Sequence, residues 1–169
     1  MPEPIVLRPL TAEDLPVLRR WRRMAAFRDA VLAELAAEAP APPSPSGGLA
    51  LSIHRAEDGA LIGLAALAPI DAASGEADVH IFVAELGAGY GEAAARAMLG
   101  YAFEEMGLWR ARLAVRRDDE LALRGYAACG FEPAPSEDST LASDFIAMRV
   151  TEAVFRSRQP RFEARWALG

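Results

Sequence analysis

Three glycines lie close together in the segment Leu86 to Gly91, which reads LGAGYG. The segment follows an alternating apolar and polar run, Ala77 to Val83, and precedes a run with helical periodicity, Glu92 to Met106, so it predicts a tight turn from a strand into a helix. The first N–H groups of a helix lack partners within the helix, and the helix dipole adds partial positive charge there. Glycines let a ligand approach these groups without interference from a Cβ atom. The turn therefore predicts a site for an anion, and phosphate is the expected group.

Two common phosphate-binding patterns do not fit this turn. A P-loop needs a lysine to reach the phosphates, and the chain contains no lysine, since all 18 basic residues are arginine. A dinucleotide fingerprint belongs to an early βαβ unit with an acidic residue about 20 residues later, whereas this turn lies mid-chain after several predicted strands. Because glycine-rich turns also occur as plain structural turns, the surrounding elements must decide the class of site.

Composition restricts the classes of function. The chain has 169 residues, of which 52% are hydrophobic and 25% charged, and this predicts one globular domain with a proper core. The net charge of −6 argues against a nucleic-acid partner, and the longest apolar runs are far shorter than the ~20 residues of a membrane span. Cys129 is the only cysteine and there are two histidines, so neither a disulfide nor a metal site is expected. Because the N-terminus also lacks a signal-peptide pattern, we expect a cytoplasmic protein.

Hydrophobic periodicity predicts the elements that precede the turn. Four strands are expected to form an antiparallel meander, and they cover Ile5 to Arg8, Leu49 to Ile53, Leu61 to Leu67 and Ala77 to Val83. The dipeptide Asp58-Gly59 is a strong hairpin signal between two of them. Helices are expected over Leu15 to Trp21 and over Phe27 to Ala39, and the Pro-rich segment Pro40 to Gly48 is expected to be a loop.

The elements after the turn predict a crossover. The helix that ends at Met106 is followed by a strand, a helix and a final strand, at Ala111 to Val115, Asp119 to Ala128 and Phe145 to Val150. Because a helical crossover joins parallel strands, the strand of Val79 and the strand of Val115 should be parallel neighbours. Residues 1–150 are expected to form a single domain, and residues 151–169 a C-terminal tail packed on the domain or on a partner subunit.

Short segments spread over most of the chain carry a more specific signal. They are LRPL at Leu7 to Leu10, LIG at Leu61 to Gly63, GAGYG at Gly87 to Gly91, YAFEE at Tyr101 to Glu105, GLWR at Gly107 to Arg110 and YAACGF at Tyr126 to Phe131. In this order they resemble the GNAT N-acetyltransferases, and especially the branch that acetylates N-terminal amines of ribosomal proteins. The resemblance implies an α/β (α+β) fold with a mixed, mostly antiparallel sheet, a central parallel strand pair that splays, and helices on both faces.

The resemblance also implies acetyl-CoA as cosubstrate. In such proteins the glycine turn holds the pyrophosphate, and the pantetheine arm lies between the two diverging parallel strands and pairs with the first of them. The expected cofactor-binding residues are therefore Phe82, Val83, Leu86, Gly87, Ala88, Gly89, Tyr90, Gly91, Glu92, Asp119 and Tyr126.

The implied chemistry is attack by a neutral amine on a thioester carbonyl. It requires a base for the amine proton, donors for the developing oxyanion and an acid for the departing thiolate. Backbone N–H groups near Phe82 and Val83 are expected to polarise the carbonyl. Tyr126 is the candidate acid, or else it packs its ring beneath Phe131. Asp78 and His80 share one face of a strand, and either is a candidate base, directly or through water; the alternative is a hydrogen-bonded polar pair on a half-solvated face.

Four residues depart from the family pattern. Leu86 stands where arginine, glutamine or tryptophan is common. Ala88 stands where a basic or amide side chain commonly helps to hold phosphate, and Asp119 replaces an asparagine that often binds the pantetheine arm. Glu92 places a carboxylate near the expected pyrophosphate, which it would repel unless its side chain points elsewhere. Arg116 and Arg117 lie close by in sequence and are candidates to compensate by binding phosphate.

The function predicted from these residues is acetyl transfer from acetyl-CoA to a primary amine. The acceptor stays open between a protein N-terminus and a small amine such as an antibiotic or a polyamine, and carboxylates lining the pocket would favour the small amine. A homodimer is a candidate assembly. The alternative is a catalytically silent domain of the same fold that binds CoA weakly or not at all and acts through protein contacts.

Overall fold

A computed structural model describes residues 4–24, 48–85, 89–134 and 144–158. Within these ranges the chain forms strands β1 (Ile5–Pro9), β2 (Leu49–Arg55), β3 (Leu61–Asp71), β4 (Glu76–Val83), β5 (Arg110–Arg116), β6 (Glu132–Pro133) and β7 (Phe145–Thr151). The α-helices are α1 (Leu15–Trp21), α2 (Tyr90–Gly100), α3 (Glu120–Cys129) and α4 (Glu152–Ser157). The helix expected over Phe27 to Ala39, the loop expected from Pro40 as far as residue 47, and the three turn residues Leu86, Gly87 and Ala88 lie outside the described residues.

The strands form one seven-stranded sheet in the order β1-β2-β3-β4-β5-β7-β6. Strands β1 to β4 are antiparallel neighbours, so the predicted meander is confirmed. The predicted hairpin turn is also present: Gly59 has φ +74°, a conformation that glycine adopts without strain, and its N–H donates to the carbonyl of Arg55 at 2.8 Å.

Strands β4 and β5 are parallel, as the crossover predicts. Their pairing covers only three residue pairs, which are Glu76 with Arg110, Ala77 with Ala111 and Asp78 with Arg112. Beyond this point β4 continues its pairing with β3 as far as Val83, and β5 continues with β7 as far as Arg116. The two strands therefore diverge in the middle of the sheet.

Helices cover both faces of the sheet. On one face, the apolar side of α2, including Met98 and Leu99, packs against Val79 and its neighbours in the larger core. On the other face, α1 buries Leu18 and Trp21 against Phe82, with the Trp21 and Phe82 ring centroids 5.5 Å apart. Alternate residues of β4 thus belong to two separate cores, because successive side chains of a strand point to opposite faces.

The long helix after the turn differs from its prediction at its C-terminal end. It is α-helical to Gly100 and then π-helical over Tyr101–Glu105, where the N–H of Met106 donates to the carbonyl of Tyr101 at 3.2 Å. The wider turn keeps the side chains of Ala102 and Phe103 buried. Gly107, with φ +70°, ends the segment as predicted.

The described part of the tail is a short helix, α4. Thr151 caps this helix, since its side chain accepts from the N–H of Val154 at 3.4 Å. Phe155 is buried and packs on Phe103 with their ring centroids 5.5 Å apart. Among the helices in the described ranges, none is long and apolar enough to cross a membrane.

Candidate functional site

The divergence of β4 and β5 opens a cavity of about 570 Å³. Its walls are the second half of β4, the start of α2, the end of β5 and one face of α3. Eight of the predicted cofactor-binding residues line it: Phe82, Val83, Gly89, Tyr90, Gly91, Glu92, Asp119 and Tyr126. The fold therefore brings together residues that are up to 44 positions apart in the sequence, from Phe82 to Tyr126.

Several lining residues were not predicted to belong to the site. They include Ile81, Glu85, Ala114, Val115, Leu121, Ala122, Arg124, Gly125 and Phe145. A signal for part of this set was available, because Ala122 lies four residues before Tyr126 and Leu121 four residues before Gly125, so each pair shares a face of α3. The contribution of Phe145 depends on the pairing of β7 with β5, which has no local sequence signal.

The start of α2 has the geometry of an anion site. Gly89 caps the helix with φ +75°, and the N–H of Ala93 makes the first helical bond, to the carbonyl of Gly89 at 3.1 Å. The N–H groups of Tyr90, Gly91 and Glu92 precede this bond and so have no acceptor within the helix. Among the described residues, nothing lies within 4 Å of a Cβ atom built on Gly89 or on Gly91. The described part of the chain therefore leaves room for a ligand beside these two glycines.

One edge of β4 also faces the cavity. From Val79 to Val83 this strand pairs with β3 on one side, and its parallel pairing with β5 has already ended at Asp78. A strand edge presents N–H and C=O groups that an extended ligand carrying amides can pair with. The cavity thus combines donors for a diphosphate at one end with a strand edge for an amide chain along its length.

Glu92 lines the cavity, but its carboxylate is directed along the helix. Its Oε1 accepts from Nη2 of Arg96, one turn further on, at 2.9 Å. The same Nη2 donates to the carbonyl of Ala128 near the end of α3 at 3.2 Å. Glu92, which departs from the family pattern, therefore has its charge balanced by the guanidinium of Arg96.

The other charged side chains that line the cavity also have partners. Glu85 accepts two hydrogen bonds from Arg55, at 2.6 and 2.7 Å, and Arg124 lies 4.0 Å from Glu120. Arg55 also binds Asp58 and holds the pKa of that carboxyl at about 2.

Asp119 and Arg116 are engaged close to the start of α3. Asp119 is the N-cap of this helix, and its Oδ1 accepts from the N–H of Ala122 at 3.1 Å. Arg116 binds Asp118 at 3.2 Å and Asp144 at 3.5 Å. The arginine that was expected to bind phosphate is thus held by two carboxylates.

Tyr126 lies in the wall of the cavity on α3. Its ring also packs edge-on against Phe131, with a centroid separation of 5.7 Å. The two interpretations offered for this residue are therefore compatible, because one face of the ring can pack on the domain while the side chain lines the cavity.

Asp78 and His80 do not line the cavity. They project from the face of β4 opposite to α2, because they alternate with Val79. Asp78 binds Nε of Arg112 at 3.0 Å. Nε2 of His80 lies 2.8 Å from the carbonyl of Ala68 and must donate to it, since a carbonyl only accepts, so Nδ1 is the basic nitrogen of the neutral ring.

The cysteine does not line the cavity, although its thiol lies 3.9 Å from the carbonyl of Glu92. Cys129 is fully buried, and burial raises the pKa of its thiol to about 12, so the thiol stays protonated at neutral pH. It acts as a small apolar residue between α2 and α3.

Comparisons with known proteins agree with this geometry. The family model of the acetyltransferase (GNAT) domain matches residues 5–132. Among curated proteins, no sequence matches this chain.

Solved structures with the same fold include spermidine N-acetyltransferases from Vibrio cholerae. The complex of that enzyme with CoA and spermine is 20% identical, covers 91% of this chain and 99% of its own, and has a TM-score of 0.70. The spermidine/spermine N-acetyltransferase SpeG from Vibrio cholerae in complex with manganese ions is 21% identical, covers 91% and 96% of the two chains, and has a TM-score of 0.69. At these identities the similarity establishes the fold.

Proposed function

Because the chain belongs to the acetyltransferase (GNAT) domain family, and is therefore an N-acetyltransferase that uses acetyl-CoA, we propose that the cavity between β4 and β5 is its acetyl-CoA site. The observation that carries this proposal is the start of α2, where three N–H groups precede the first helical bond and no described residue lies within 4 Å of a Cβ built on Gly89 or Gly91. The diphosphate would lie against Tyr90, Gly91 and Glu92, and the pantetheine arm would run along the free edge of β4. Leu86, Gly87 and Ala88 stay expected contacts of the diphosphate.

The reaction needs a proton acceptor and a proton donor on either side of the thioester. The amine nitrogen forms a bond to the carbonyl carbon, the carbon–sulfur bond breaks, and the thiolate takes a proton. The position of Tyr126 in the cavity wall supports it as the donor of that proton. Backbone N–H groups near Phe82 and Val83 are the proposed donors to the oxyanion.

The proposed base lies on the other face of the sheet. Asp78 and His80 both project there, so we place the acceptor amine on that face and the acetyl donor in the cavity. Asp78 is paired with Arg112 through Oδ1, and Nε2 of His80 donates to the carbonyl of Ala68. Either residue is proposed as the base, directly or through water.

The acceptor class is the finer part of the proposal. A polyamine carries several positive charges and is best bound by carboxylates without other partners. On the face where the acceptor is placed, Glu76 and Asp78 of β4 are each bound to an arginine in the described part of the chain. This matched charge supports a single amine, such as a protein N-terminus, in line with the resemblance to the ribosomal-protein branch. Polyamines are the second candidate, because the similar Vibrio cholerae enzyme was solved with spermine.

An acetyl-transfer assay tests the acceptor class directly. The enzyme is incubated with labelled acetyl-CoA and either peptides that have a free N-terminal amine or spermidine and spermine. N-terminally blocked versions of the same peptides are the control. We expect transfer to the free peptides only. Faster transfer to the polyamines would overturn the acceptor assignment, while no transfer to any amine, with CoA still bound, would place the acceptor in a different class.

A homodimer in the cytoplasm completes the proposal. Trp109 is 46% exposed, and Arg110 lies over its ring at 5.0 Å. An exposed aromatic ring supports an interface. Light scattering with Trp109→Ala as the comparison tests this assembly, and a monomeric mass for the unaltered chain would contradict it.

A further inference from the structure

Glu92 stands where it can obstruct the site. It is the third residue of α2, and a glutamate at this position can fold back to hydrogen-bond the N–H of the capping residue. The capping residue, Gly89, has no side chain to occupy the nearby donors. In the folded-back position the carboxylate would compete with a phosphate for the same helix start, and its charge would repel the phosphate.

The structure holds this carboxylate in the opposite direction. Arg96 lies four residues after Glu92 and binds its Oε1 at 2.9 Å, so the carboxylate points towards the next turn of the helix. The side chains of Glu92 and Arg96 are 38% and 22% exposed, so the pair is a partly solvated one. Such a pair contributes little to the free energy of folding. Its main effect is to select the side-chain rotamer of Glu92.

Arg96 is itself fixed by a second helix. Its Nη2 donates to the carbonyl of Ala128 at 3.2 Å, and Ala128 lies in the last turn of α3, where carbonyl groups lack helical partners. The negative end of the α3 dipole also favours a cation at this position. Helix α3 passes close to Glu92, since a Cβ atom on Gly125 would lie 3.5 Å from Cβ of Glu92. The guanidinium therefore joins two walls of the cavity and holds the carboxylate between them.

We infer that Arg96 is a positioning residue for acetyl-CoA binding: it holds Glu92 away from the start of α2 and so keeps the first N–H groups of that helix available to the diphosphate. The inference rests on the proposed position of the diphosphate. From the sequence alone, Glu92 is expected to repel the phosphate. The position of Arg96 explains how a carboxylate can stand at this helix start without doing so.

A double-mutant cycle tests this role with CoA as the probe. Arg96→Met keeps the length of the side chain and removes its charge, and Glu92→Gln removes the opposing charge. We expect Arg96→Met to weaken CoA binding about five- to tenfold at low salt, the scale of one charge at a helix terminus. The loss should shrink as salt rises, because ions screen the repulsion. The double variant should bind CoA nearly as well as the unaltered enzyme.

Arg156→Met is the matched control. Arg156 makes the same type of pair, with Glu152 four residues earlier at 2.8 Å, but it lies on α4 away from the cavity. It should leave CoA affinity unchanged. In the acetyl-transfer assay, Arg96→Met should raise KM for acetyl-CoA and leave kcat unchanged, because the lost interaction acts on binding alone.

Two outcomes overturn the inference. If Arg96→Met binds CoA normally, the carboxylate does not reach the helix start. If the double variant is as weak as Arg96→Met, Arg96 acts through its bond to Ala128 and the packing of α3. A separate variant, Gly91→Ala, tests the proposed position of the diphosphate itself. Normal CoA binding by Gly91→Ala would refute that position, whereas weakened binding by Gly91→Ala together with an unrescued double variant would refute only the role of Arg96.

Discussion

Tyr126 illustrates how one side chain can serve packing and chemistry together. Its ring rests against Phe131, and its position on α3 brings it into the cavity wall. The edge-on ring contact contributes to the stability of the domain through dispersion and the ring quadrupole, neither of which involves the hydroxyl proton. The two contributions can therefore be separated by removing the hydroxyl group alone.

Tyr126→Phe keeps the ring and deletes the proton donor. We expect kcat to fall by a factor of about 10²–10⁴, as for loss of a general acid, while CoA affinity stays nearly unchanged. Single-turnover kinetics and calorimetric titration with CoA measure the two quantities. Tyr126→Ala is the comparison, because it should also destabilise the domain. Full activity of Tyr126→Phe would show that the thiolate leaves without this proton.

The two candidate bases differ in the partners that already bind them. Asp78 is bound to a guanidinium and His80 to a carbonyl. We expect His80→Gln or Asp78→Asn to reduce kcat/KM, and the larger loss identifies the base. The loss should be largest below the pKa of the acceptor amine, where most amine molecules carry the proton that must be removed. Rates measured across a pH series distinguish the variants, and unchanged rates for both would exclude Asp78 and His80 as the base.

At the level of elements, the two glycines at the start of α2 differ in their backbone conformation. Gly89 has φ +75°, so any other residue there strains the backbone even though no described residue lies within 4 Å of its Cβ position. Gly91 lies within the helix, and a Cβ atom on it would likewise meet no atom of the described ranges within 4 Å. Substitution at Gly91 is therefore tolerated by the free protein, and any cost appears only when a ligand occupies that space.

Gly91→Ala uses this difference. The variant should be as stable as the unaltered protein or more stable by about 0.5–1 kcal/mol, since alanine is the better helix former. Its CoA affinity should fall about tenfold or more, equivalent to ~1.4 kcal/mol, if the diphosphate approaches the backbone at this point. Chemical denaturation and calorimetric titration give the two values. Gly89→Ala, which strains the turn, should lose stability as well as affinity.

At the scale of the whole molecule, the cavity lies between β4 and β5, which pair over only three residues. A ligand that fills it and binds only the folded state must stabilise that state. The acetyl donor should therefore act as a bridge between the two halves of the sheet.

CoA should raise the melting temperature of the protein. At a concentration about 100 times Kd the gain is ~2.7 kcal/mol, which corresponds to a shift of about 5–10 °C for a domain of this size. Scanning calorimetry with and without CoA measures the shift. Gly91→Ala provides the control, because it should shift less at the same CoA concentration. The absence of a shift at millimolar CoA would contradict the proposed donor site.

Local patterns in the sequence determined most of the fold. Alternating apolar residues predicted the strands of the meander, and helical spacing predicted α2 and α3. The glycine and Asp-Gly signals predicted the turns, and the crossover predicted the parallel pair. These features depend on backbone geometry and on which face of an element is apolar, so a few neighbouring residues are enough to indicate them. The cofactor-binding residues were predicted from the resemblance to the GNAT N-acetyltransferases, and eight of them line one cavity.

Tertiary packing decided which partners the charged residues of the site bind. The sequence placed Glu92 beside the expected phosphate and Arg116 near enough to compensate. In the structure Arg96 binds Glu92 and is itself fixed by the carbonyl of Ala128 on α3, and carboxylates bind Arg116. Tertiary packing also decided that β4 and β5 separate after three pairs, which opens the cavity. Strand divergence and the contacts of Arg96 with Ala128 and of Arg116 with Asp144 join segments far apart in the chain, and such contacts leave no periodic signal in the residues that make them.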